Sequence, residues 1–122
     1  MIYETRAYTI RPGKMKEFLS FFTERGTMIA GTLKAQGQLI GHWQTVRRYL
    51  VDVAGGELKQ ESQEVANEVV YMIAFEDMDQ RNEFWKSFGD DKGWHKERPT
   101  FASLVSKMDI KILRPTEISP MK

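Results

Sequence analysis

Glu4, Arg6 and Tyr8 stand at alternate positions of the opening run IYETRAYTI. In an extended chain such residues share one face, roughly 7 Å apart. A carboxylate in that row can serve as general base, a guanidinium can hold a carboxylate or an enolate, and a phenol can donate a hydrogen bond to developing oxyanion charge. Charges are seldom buried unless paired or functional, so the face reads as the lining of a cavity. The plainer alternative is an ion pair between Glu4 and Arg6 that spans a subunit interface and fixes its register.

Later runs of the same period supply companions for this row. Trp43, Tyr71 and Phe75 offer apolar walls, Tyr71 adds a hydroxyl, and Asn67 either binds a ligand or satisfies a strand end. Trp43 also suits ordinary packing between two sheets. The two histidines, His42 and His95, are far apart and have no acidic partner at metal-ligand spacing. By alternation His42 falls with Ile40, away from the proposed lining, whereas His95 beside Trp94 sits where a loop can cap a cavity. The catalytic candidates are therefore Glu4, Arg6, Tyr8 and His95, and the ligand-binding candidates are Trp43, Asn67, Tyr71, Phe75 and Trp94. No metal and no cofactor is expected.

Composition excludes several other chemistries. With no cysteine there is no thiol nucleophile, disulfide or iron–sulfur ligand. Eighteen basic against 17 acidic residues leave a net charge of +1, too little to release counterions from a polyanion, so nucleic acid is not an expected partner. No apolar run approaches the ~18 residues of a membrane span, and Met1 leads directly into a strand pattern. A soluble cytoplasmic protein is expected, without a membrane partner.

The elements that position the candidates alternate between two periods. The first strand ends at Pro12-Gly13, where glycine supplies an unusual backbone angle. Met15, Phe18, Leu19, Phe22, Ile29 and Leu33 then mark one stripe of a long helix that stops near Gln36-Gly37; Gly26 and Gly31 inside it weaken it, and a kink or break is expected near Arg25-Gly26-Thr27. Residues 38–46 form a second strand. Residues 47–64 combine a strand-like start with a polar stretch around Gly55-Gly56, and read as an inserted hairpin-like excursion or a mobile loop. Residues 65–75 form the third strand. Asp77 and Gln80 resemble a capping box for a short helix whose stripe is Met78, Arg81, Phe84, Trp85 and Phe88, ending at Gly89. After a turn at residues 89–93, an irregular or single-turn helical segment is expected, interrupted by Pro99, with Phe101, Leu104 and Val105 buried. Residues 106–113 form a last, half-buried strand.

The order strand, helix, strand, strand, helix, strand predicts a single α+β domain over residues 1–122. Its form is ferredoxin-like βαββαβ, with both helices on one face of a four-stranded antiparallel sheet. Tyr8, Trp43, Tyr71 and Phe75 are assigned to the other face, too much aromatic surface to leave in water. Two such sheets facing each other in a homodimer would close a barrel, and the candidate residues would line its lumen.

Five pieces in this order carry a family resemblance: IYETRAYTIRPGKMKEFL, the GHW after the first helix, NEVVYMIAFEDMDQRNEF, Trp94 and the ending ILRPTEISP. Together they resemble the NIPSNAP family of the dimeric α/β-barrel superfamily, over nearly the whole chain. Tyr71 stands where the family often has histidine, and the excursion at 47–64 replaces a shorter link. The resemblance implies a small-molecule-binding barrel, in one form a cofactor-independent monooxygenase, cyclase or isomerase acting on an aromatic or enolisable substrate. The alternatives are a non-catalytic binder of a ligand such as haem, or a protein-interaction module.

Overall fold

The computed structural model describes residues 1–25, 38–64 and 67–121. Strand β1 (Ile2–Ile10) is the centre of the sheet. It pairs antiparallel with β5 (Glu68–Phe75) on one side and with β6 (Val105–Leu113) on the other. Strand β2 (Leu39–Gln44) pairs antiparallel with the outer edge of β5, giving the order β2-β5-β1-β6. This is the expected ferredoxin-like α+β arrangement. The expected start of the third strand, at Val65 and Ala66, lies outside the described residues.

The helical layer begins at Gly13, whose φ of 75° turns the chain out of β1. Helix α1 (Met15–Ser20) continues as a π-helical turn (Phe21–Arg25) and buries Phe18, Phe21 and Phe22. The rest of the expected long helix, from Gly26 to Gly37, is outside the described residues. Helix α2 (Met78–Asp90) starts where the Gln80 backbone N–H donates to Asp77 Oδ1 at 2.8 Å, while the Gln80 side chain accepts from the Glu76 N–H at 2.7 Å.

Helix α3 (Lys92–Leu104) corrects the expectation of an irregular segment, for it runs 13 residues straight through Pro99. A proline in a helix costs about 3 kcal/mol. That loss is offset because Asp91 Oδ1 caps the Gly93 N–H at 2.7 Å and because Phe101 and Leu104 are driven onto the sheet, with Trp94 packed beside them.

A second correction concerns the faces of the sheet. The alternation within β1 is as expected, but Glu4, Arg6, Tyr8 and Ile10 lie beneath the helices and not on the open face. Val69, Tyr71, Ile73 and Phe75 of β5 join them in the same core. The opposite face carries Tyr3, Thr5 and Ala7, with Val70, Met72 and Ala74 opposite them on β5. Trp43 belongs to this second face, since it pairs with Val70, while His42 pairs with Tyr71 and packs on the helical side. A register shift between Leu39 and Gly41 lets β2 present both Leu39 and His42 to the helices.

Residues 47–64 are an ordered hairpin of β3 (Arg47–Ala54) and β4 (Glu57–Glu64), paired with each other as a separate two-stranded sheet. Gly55 and Gly56 have φ of 59° and 79°, the left-handed pair that a tight two-residue hairpin turn requires. All of β3 is exposed. Replacing residues 50–63 by a short turn is therefore expected to shift the melting temperature by less than about 4 °C, the equivalent of about 1 kcal/mol in a domain of this size. Thermal melting by circular dichroism checks this, and a larger fall would show that the hairpin is needed for folding.

Candidate functional site

Glu4 is the anchor of the buried polar cluster. Its carboxylate is fully buried at the middle of the sheet, which is tolerable only with partners for both oxygens. Arg6 Nε donates to Oε2 at 2.6 Å and Arg81 Nε, from α2, donates to Oε1 at 2.5 Å. Arg81 Nη1 in turn donates to Asn82 Oδ1 at 3.1 Å. One carboxylate thus serves two guanidiniums, and the cluster of these three charges keeps a net +1.

The Arg6 guanidinium is confined from two directions. Its Nε edge is taken by Glu4, and its face lies 3.6 Å from the centroid of the Trp85 ring, a cation–π contact made strong by burial. Burial works against the Arg6 charge, but Tyr71, Tyr8 and Glu4 outweigh it and raise its pKa above the ordinary value.

Tyr8 and Tyr71 are neighbours across β1 and β5, their hydroxyls 2.6 Å apart. Burial, reinforced by Tyr8 and partly opposed by Arg6, pushes the Tyr71 phenol well above its usual range, so Tyr71 is a neutral hydrogen-bonding group. His42 stacks on Phe22 at 4.7 Å and on Tyr71 at 5.9 Å between ring centroids, and burial lowers its pKa.

A cavity of about 180 Å³ opens beside this cluster. Arg6, Tyr8 and Met108 form its sheet side, Trp85 and Phe88 of α2 one wall, and Trp94 and Phe101 of α3 the other. The walls are held by edge-on and tilted ring contacts, with 5.6 Å between Trp85 and Phe88, 4.7 Å between Phe88 and Trp94, and 5.3 Å between Trp94 and Phe101.

The candidates read from the sequence are distributed unevenly around this cavity. Arg6, Tyr8 and Trp94 line it, while Glu4 and Tyr71 stand behind Arg6 and Tyr8 as their hydrogen-bond partners. Phe75 is buried on the same face but packs on Phe84, with ring centroids 5.8 Å apart. Asn67 is exposed before β5, where its carbonyl accepts the Ile10 N–H at 2.7 Å. Trp43 lies on the opposite face, half exposed at 52%. His95 is exposed, its Nε2 2.6 Å from the Gly89 carbonyl at the end of α2.

Arg81, Trp85, Phe88, Phe101 and Met108 were not among the candidates. A signal for Arg81 was present, because an arginine within an otherwise apolar helical stripe needs a buried anion, and Glu4 is the only acidic residue of β1.

Replacing Glu4 by glutamine would leave two guanidiniums crowded together without a counter-charge. Glu4→Gln is expected to cost about 3–5 kcal/mol of stability, measured by urea denaturation. A loss below about 1 kcal/mol would mean that water, and not Glu4, compensates the arginines.

Comparison with known proteins follows the same outline. No curated protein matches the sequence. Among solved structures, a NIPSNAP family protein of Agrobacterium tumefaciens is 30% identical, with a TM-score of 0.70 and 99% of this chain and 98% of that chain covered. An uncharacterized NIPSNAP domain protein from Burkholderia xenovorans is 22% identical, with a TM-score of 0.74 over 98% of this chain and 99% of its own. An antibiotic biosynthesis monooxygenase shares the fold at 9% identity, with a TM-score of 0.54 and coverage of 95% and 99%. Among the described residues no helix is long and apolar enough to cross a membrane. The NIPSNAP family model matches residues 3–120, from the second residue of β1 through nearly all of the tail, and the chain belongs to the NIPSNAP family.

Proposed function

We propose that this NIPSNAP protein binds a small organic molecule in the cavity between its sheet and its helices. The observation that carries the reading is the aromatic chamber closed on one side by Arg6 and Tyr8, a largely apolar concavity with a few placed polar groups. In this reading Arg6 and Tyr8 touch the ligand, and Glu4 and Tyr71 hold them in place. At about 180 Å³ the chamber suits one ring far better than a macrocycle such as haem. The shared fold of the monooxygenase supplies no reaction for this chain, because sites and not folds carry chemistry.

A thermal-shift screen of small aromatic compounds tests this directly. A compound at a hundred times its dissociation constant is expected to add about 2.7 kcal/mol to the stability of the wild-type protein. The gain should vanish in Met108→Trp, which fills the chamber from the edge strand. A library with no hit, or hits indifferent to Met108→Trp, would count against the cavity as a binding site.

The reading includes a homodimer formed by the face of the sheet opposite the described helices. Trp43, Tyr3, Val70 and Met72 give that face an apolar surface, and Trp43 lies flat across Gly41, where a Cβ would sit 2.2 Å from the indole ring. A stable interface of this kind buries more than ~2,000 Å². Light scattering is expected to give twice the 14.2 kDa chain mass at micromolar concentration, and Trp43→Glu to shift it toward the monomer. A wild-type protein of monomer mass would refute the dimer.

A further inference from the structure

We propose that the chamber selects an anion, specifically a carboxylate carried on a single aromatic ring. This deepens the reading above and rests on it. The first argument is charge. Glu4 is shared between Arg6 and Arg81, so the three groups leave one positive charge, and among the described residues no carboxylate or imidazole lines the chamber to neutralise it. A cationic ligand would be repelled by the cluster's remaining positive charge, and an anion beside Arg6 would balance the charge that the shared Glu4 leaves over.

The second argument is geometric. A guanidinium has a fork of donors, and here its uses are divided: Nε serves Glu4 and the flat face serves Trp85. Its two Nη atoms make no side-chain hydrogen bond among the described residues, so the edge that fits the two oxygens of a carboxylate is the one left over. Tyr8, also on the lining, shares one proton with Tyr71 in the 2.6 Å contact. When Tyr71 donates that proton, the Tyr8 hydroxyl keeps its own for a ligand oxygen.

The third argument is size and shape. An apolar cavity of about 150 Å³ accepts benzene, so 180 Å³ beside Arg6 holds one ring and a small substituent. The ring would lie among Phe88, Trp94 and Phe101, whose mutual tilts already present both faces and edges to a planar guest.

Calorimetric titration with benzoate, benzamide and benzylamine tests the assignment on the wild-type protein without any variant. Benzoate is expected to bind at least tenfold more tightly than benzamide, and benzylamine not to bind. In Arg6→Met, where Glu4 keeps Arg81, the preference for benzoate over benzamide should be lost, with the fold checked by circular dichroism. Arg6→Lys, which keeps the charge but loses the fork, should fall between the two. Equal binding of benzoate and benzamide by the wild type would overturn the anion assignment and leave the cavity reading standing. Failure of all three probes together with an empty aromatic screen would overturn both.

Discussion

The buried carboxylate of Glu4 is the constraint on which the rest of this structure depends. An ion at the centre of a sheet is expensive to desolvate, and its cost is met only when each oxygen has a donor in good geometry. Arg6 comes from the same strand face, so it is available as soon as β1 is extended. Arg81 comes from α2 and reaches Glu4 only when that helix lies across the sheet at one position along its axis. The pair of bonds therefore sets where α2 sits, and with it the places of Phe84, Trp85 and Phe88. Hydrophobic burial alone would tolerate a range of helix positions, because it has little directional preference.

That position has consequences for the cavity. Trp85 is brought over the Arg6 guanidinium, and the next turn of α2 presents Phe88 to Trp94 of α3. These rings meet edge-on or tilted, Phe101 against Tyr8 as well as against Trp94, and the chamber is the space they leave beside Arg6. Helix α3 must be continuous for Trp94 and Phe101 to form one wall, which explains why the fold carries Pro99 in the interior of that helix. The local penalty is smaller than the gain from seating Phe101 and Leu104.

The sheet has two faces with different tasks. One is filled by helices and carries the polar cluster; the other has Trp43, Tyr3, Val70 and Met72 towards β2, β5 and β1, and Lys107, Asp109 and Lys111 on the edge strand β6. The hairpin of β3 and β4 extends from the β2 and β5 side, with Tyr49, Val51 and Val53 on one of its faces and Leu58 opposite Val53. Two-stranded ribbons have no interior, so its apolar residues remain exposed in the single chain.

Much of the architecture was legible from period and punctuation. The two-residue period of β1 and β5, the stripe of α2 with its Asp77 cap, and the Gly55-Gly56 turn are local properties, determined by steric preference and amphipathicity within a few residues. Family membership was legible too, from ordered pieces along the chain. Alternation shows which residues share a face, and it placed Glu4, Arg6 and Tyr8 together correctly. It contains nothing to say which face meets the helices, since both choices satisfy the same period. The assumption that charge marks an open face failed because Arg81, 77 residues away, supplies the missing partner. Trp43 parted from Tyr71 for a related reason: cross-strand register pairs it with Val70, and a shift in β2 moves Leu39 out of simple alternation. Contacts between distant elements decide such matters, and only the tertiary structure assembles Arg6, Tyr8, Trp85 and Trp94 around one cavity.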